Sequence, residues 1–90
     1  GKVSAAARIV KANFSRGQRW IVYCDDQAQL RLVRKSLVDQ GIPDVFEYHT
    51  GMGGDAAATL KLFDSHGGVV VSIRCLDEGV DIPSVSHALI

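Results

Sequence analysis

Cysteine, proline and aromatic residues are scarce in this chain, and neither sign of charge is in excess. The two cysteines, Cys24 and Cys75, lie far apart and outside any C-x-x-C pair, so neither a disulfide framework nor a zinc site is expected and both read as reduced, half-buried thiols. His49, His66 and His87 are scattered, with no second ligand three or four residues away, and no metal is assigned. Ten basic side chains balance ten acidic ones, which argues against an autonomous nucleic-acid-binding domain of the basic kind. No apolar run approaches the ~18 residues that cross a bilayer. No leader-like series opens the chain, so a cytoplasmic protein without membrane contact is expected.

Ninety residues, 47% of them hydrophobic, fit a single soluble globular unit. At this length roughly 60 to 65% of the unfolded surface is buried, which leaves one modest core with little reserve. The balanced total conceals a split. Residues 1 to 45 hold eight basic and four acidic side chains, and residues 46 to 90 hold two basic and six acidic. The halves therefore carry +4 and −4, which can aim one end at phosphates or reflect ordinary surface variation.

The hydrophobic pattern alternates between helical and strand periods. Val3, Ala7, Val10 and Phe14 recur at helical spacing, and the pattern predicts a helix over 3 to 16 stopped by Gly17. Trp20 to Tyr23 reads as a strand. Asp26 with Gln29 forms a capping box for a second helix, whose apolar face is Leu30, Val33 and Leu37 and whose end is marked by Gly41 and Pro43. Val45 to Tyr48 is a second strand. The turn Gly51-Met52-Gly53-Gly54 leads into a third helix with Ala56, Leu60 and Phe63 on one face, closed by Gly67 and Gly68.

The continuous apolar run Val69 to Ile73 suits a strand covered on both faces, and Ser86 to Ile90 suits a fourth strand after the loop that carries Pro83. Strands joined by helical crossovers pair in parallel, so the expected architecture is an open α/β parallel sheet flanked by helices. A chain that stops inside a strand, as at Ala88-Leu89-Ile90, reads as an excised piece of a larger domain.

Three constellations bear on chemistry. Gly51-x-Gly53-Gly54 precedes a helix, but no Lys-Ser or Lys-Thr follows, so it is a flexible turn rather than a Walker A loop. Its helix N-terminus is left with at most a minor part in meeting a phosphate. Asp25-Asp26 at a strand end is explained by helix capping. In Val69 to Pro83, a buried strand feeds a loop where Gly79 permits close backbone approach and Asp81 stands two residues on, an arrangement suited to a ribose or nucleotide edge. The alternative is that Gly79 only makes the turn and Asp81 bonds a neighbouring amide.

Glu78-Gly79-Val80-Asp81-Ile82-Pro83 resembles motif V of superfamily 2 helicases, in the branch of DNA excision-repair and restriction-type motors. Arg19 to Tyr23 resembles the motif IV strand of that family, Tyr48-His49-Thr50-Gly51 its next strand and loop, and Leu60 to Phe63 the helix before motif V. The resemblance covers nearly all of the chain, and motif V is its most specific part. It implies part of a second RecA-like motor domain, spanning motifs IV to V over 1–90 and ending before motif VI.

By the same resemblance, Asp81 contacts the ATP ribose and the Gly79 loop couples the ATP cleft to the nucleic-acid track. His49, Thr50, Gly51, Ser72 and Arg74 lie towards the nucleic-acid backbone. Two departures stand out: Ile73 occupies the place of a frequent threonine, with Ser72 on the opposite strand face, and Ala56 to Ala58 occupy the region of a usual arginine. ATP and Mg2+ would be bound with an upstream RecA-like domain. The chain alone, lacking phosphate cradle, metal carboxylate and arginine finger, is expected to be inactive. A non-catalytic α/β interaction module with the same fold is the alternative.

Overall fold

The computed structural model describes residues 1–49, 52, 55–73 and 84–89. The elements run α1 (Lys2–Asn13), β1 (Arg19–Cys24), α2 (Gln27–Asp39), β2 (Val45–Tyr48), α3 (Asp55–His66), β3 (Gly68–Ile73) and β4 (His87–Leu89). The four strands form one sheet in the order β2-β3-β1-β4, and every pairing is parallel. This is the open α/β sheet flanked by helices that the periodicity predicts.

Residue alternation along the strands divides the core in two. Trp20, Val22 and Cys24 of β1 and Val69 and Val71 of β3 pack with Ala7 and Val10 of α1 and Leu30, Val33 and Leu37 of α2. Ile21 and Val70, on the other face, pack with Tyr48 and Phe63, and Phe63 is the buried anchor of α3. The faces follow from topology. The path from β1 through α2 to β2 passes beyond the position of β3, and the path through α3 returns. Reversing direction while keeping the hand of the crossover puts the helix on the opposite side of the sheet.

The helix ends show why these segments stop where they do. α1 ends at Asn13, three residues short of the predicted helix over 3 to 16. Asn13 Nδ2 donates to the Ile9 carbonyl at 2.7 Å, and Phe14 is extended at φ −69°, ψ 132°. The Ser15 N–H, which a further turn would aim at the Lys11 carbonyl, donates instead to Gln18 Oε1 at 2.9 Å, a local side-chain bond that competes with the next helical turn. Phe14 still packs against the α1–α2 core.

At the start of α2 the Asp26 carboxylate accepts from the Gln29 N–H at 2.8 Å, and Gln29 Oε1 accepts from the Asp25 N–H at 2.7 Å. The capping pair thus forms, but its return bond reaches one residue further back than in a standard box. At the other end Gly41 (φ +85°) donates to the Val38 carbonyl at 2.9 Å, and Ile42 donates to the Leu37 carbonyl at 3.2 Å. This is a Schellman closure, completed by the burial of Ile42 beside Leu37.

β4 begins at His87, one residue later than the expected start at Ser86, and Ile90 lies outside the described residues. Ser86 is occupied instead with Arg19: its N–H donates to the Arg19 carbonyl at 2.8 Å, and its Oγ accepts from the Arg19 N–H at 3.0 Å. The Arg19 guanidinium also donates through Nε to the Ser84 carbonyl at 2.8 Å and through Nη1 to the Asp64 carbonyl at 3.2 Å. One residue therefore ties the start of β1 to the approach to β4 and to the last turn of α3, where a cation is favoured by the helix dipole. Further along, His87 stacks on Trp20 with ring centroids 4.5 Å apart and planes at 9°. Among the described residues, no helix is long and apolar enough to cross a membrane.

Candidate functional site

In an open parallel sheet the strand C-termini end along one edge, where the loops that carry binding groups emerge. Here β1, β2 and β3 end together. Cys24 of β1 lies beside Ile73 of β3, and Tyr23, Ser72 and Tyr48 form a single row across the three strands. Asp25 and Asp26 follow β1, and His49 follows β2. Of the residues predicted to contact a ligand, the structure places His49 and Ser72 at this edge. Thr50, Gly51, Arg74, Gly79 and Asp81 lie outside the described residues, as does the Gly53-Gly54 pair.

Ser72 is fully buried, and its Oγ makes no hydrogen bond among the described residues. Alternation puts it on the α3 face of β3. Ile73, next along, packs against the α1–α2 core. The opposition of these two side chains expected from strand geometry is therefore present. Ser72 is withdrawn from solvent in this arrangement, and its hydroxyl presents no surface to an incoming phosphate.

His49 belongs to a group that the sequence does not announce. Its Nε2 lies 3.7 Å from Glu47 Oε1, while Glu47 Oε2 is 3.2 Å from Arg34 Nε. Glu47 thus stands between an arginine from α2 and a histidine from the end of β2. The three line an open cavity of about 300 Å³ with Phe46, Met52 and Thr59. Arg34 and Glu47 are thirteen positions apart on different elements, so no motif links them. The available signals are only that Arg34 falls off the apolar face of α2 and that Glu47 interrupts an apolar strand.

The carboxylates after β1 have structural partners. Asp26 caps α2, as the capping pattern predicts, and Asp25 lies 3.3 Å from Lys2 Nζ. Cys24 is fully buried rather than half-buried. Burial pushes its thiol up to about 11, with the Asp25 and Asp26 carboxylates adding to the rise and Lys2 opposing it. A thiol held protonated at neutral pH is a poor nucleophile. A smaller cavity of about 130 Å³ lies between α1, β1 and β4, bordered mainly by apolar residues such as Val3, Ile9, Val22 and Leu89. Among the described residues no group of three or more His, Cys, Asp or Glu side chains could hold a metal ion.

Comparison of the chain with protein-family models and with curated proteins finds no match.

Proposed function

We propose that this chain forms part of the second RecA-like domain of a superfamily 2 helicase or translocase acting on DNA. In this reading it supplies one wall of an inter-domain ATP cleft and a section of the nucleic-acid track. The observation that carries the reading is the shared edge. Two segments that resemble helicase motifs, Arg19 to Tyr23 and the start of Tyr48 to Gly51, lie on β1 and β2, and β3, the strand that precedes the motif V-like segment in sequence, stands between them with the three strand ends in one row. Sequence order alone does not require that meeting.

The described residues at this edge suit a nucleoside-facing wall better than a phosphate cradle. Asp25 and Asp26 stand at the end of β1, and carboxylates repel a triphosphate. Phosphate binding, the Mg2+ ligands and the charge-stabilising arginine therefore fall to other parts of the parent protein, the upstream RecA-like domain first among them. When bound, ATP supplies the free energy for domain closure, and its hydrolysis permits reopening. This chain's part is to meet the ribose through Asp81, with Gly79 allowing close backbone approach. His49, Thr50, Gly51 and Arg74 belong to the track side of the same edge, whereas Ser72, buried beneath it, is not a contact to the nucleic-acid backbone.

Asp81→Ala in the full-length protein tests the assignment. Loss of a charge-assisted hydrogen bond, worth roughly 1.5 to 3 kcal/mol, lowers nucleic-acid-stimulated ATPase through KM, kcat or both while leaving the melting temperature nearly unchanged. Wild-type kinetics with a lowered melting temperature would remove Asp81 from the nucleotide site and favour the interaction-module reading.

A further inference from the structure

The basic residues of the first half of the sequence gather, in the fold, largely on one face of the sheet. α1 and α2 both pack on one face. α1 carries Lys2, Arg8 and Lys11 and no carboxylate; α2 carries Arg31, Arg34 and Lys35 against Asp39 alone. All seven of these residues are exposed. On the opposite face α3 carries Asp55 and Asp64 against Lys61.

The two helices of the basic layer run side by side in the same direction. Lys2, at the start of α1, pairs with Asp25 beside the start of α2, and Lys11 Nζ reaches the Gly41 turn at the end of α2. The other acids of this half, Asp25, Asp26 and Asp44, lie outside the helices, at the two ends of α2. Three of the six helix cations are in ion pairs: Lys2 with Asp25, Arg34 with Glu47, and Lys35 with Asp39. Among the described residues Arg8, Lys11 and Arg31 are in none.

We infer that the outer face of α1 and α2 is a second docking surface for nucleic acid, separate from the sheet edge, and that it holds the phosphodiester backbone of a duplex without reading its sequence. Two helices of about three and a half turns each make a surface roughly 20 Å long. Along the two helices the one carboxylate, Asp39, is paired with Lys35, and the remaining cations attract a row of anions. Ile9, Leu32 and Val38 are also exposed here. Leu32 and Val38, six residues apart, point about 120° away from each other around α2. They therefore form no continuous apolar stripe for a protein or lipid partner. The surface is defined by the charges of α1 and α2 alone and does not depend on the ATP-cleft reading.

The test is titration of the 90-residue chain with a fluorescent 20-base-pair DNA duplex of arbitrary sequence over a range of salt concentrations. Binding is expected to weaken steeply with salt. The R8Q/R31Q variant, with its fold checked by circular dichroism, is expected to reduce the log–log salt slope by about 2 and weaken low-salt binding at least ~10-fold. K61Q, which removes a cation from the opposite layer, leaves both unchanged. R8Q/R31Q binding like the parent, an equal loss in K61Q, or tighter retention on phosphatidylserine vesicles than on the duplex would each overturn the inference. Because the Asp81 experiment reads ATPase kinetics and this one reads binding by α1 and α2, failure of one proposal leaves the other in place.

Discussion

Gly68 lies so close to the backbone carbonyl of Asp44 that no Cβ fits between them. Gly68 has φ +119°, and an added Cβ would also come within 2.7 Å of the Asp44 Cβ. Its neighbour Gly67 has φ +74°, and a Cβ there would stand 2.9 Å from the Gln18 carbonyl. The pair brings the start of β3 between β1 and β2, with the Gly68 N–H donating to Gln18 O at 2.9 Å and the Val69 N–H to Asp44 O at 2.8 Å.

Gly68→Ala is therefore expected to destabilise the chain by about 2 kcal/mol or more, from left-handed backbone strain together with the clash at Asp44. In a domain of this size that lowers the melting temperature by roughly 10 °C. An unchanged thermal midpoint, followed by circular dichroism, would mean that β2 and β3 enter the sheet at a different spacing.

Ser72 gives the opposite sign. Its buried hydroxyl makes no hydrogen bond among the described residues, and a hydroxyl left so costs roughly 1 to 3 kcal/mol. Ser72→Ala removes that cost and leaves only a small void, so the variant is expected to be as stable as the parent or more stable by about 1 kcal/mol. A drop of several degrees in melting temperature would show that the hydroxyl is bonded in the folded chain.

Cys24 sets a pH limit. Its folded thiol is raised from 9.0 to about 11, chiefly by burial, so the folded state holds its proton longer than the unfolded chain does. The stability this contributes is fully present below pH 9 and is lost as the pH rises towards 11. Denaturant midpoints compared between the parent and Cys24→Ala are expected to converge over that window. The difference changes by on the order of 1 to 3 kcal/mol. Parallel pH profiles for the two proteins would place the thiol in a solvated site.

The elements of this fold are local and were therefore legible. Leu30, Val33 and Leu37 specify the buried face of α2 because a helix returns a side chain to the same side every three or four residues. Asp26, Gly41, Gly67 and Gly68 mark boundaries because their side chains, or the lack of them, act on backbone within a few positions. Even there, α1 ends early, at an extended Phe14 followed by a Ser15 N–H that bonds Gln18 Oε1 instead of the helix. Of the candidate site, the strand ends at His49 and Ser72 could be read in advance, since a strand followed by a polar turn is a local pattern. The meeting of Arg34, Glu47 and His49 could not, because it joins α2 to the edge strand across residues with no shared periodicity.

The sequence by itself determined that the first half is basic and the second acidic, and that three strands alternate with helices. Only the tertiary structure decided that the basic helices would share one face of the sheet. Charge is carried residue by residue along the chain, whereas the face on which a helix lands depends on the direction its crossover takes through the strand order β2-β3-β1-β4. That order is set by the packing of strands distant in sequence.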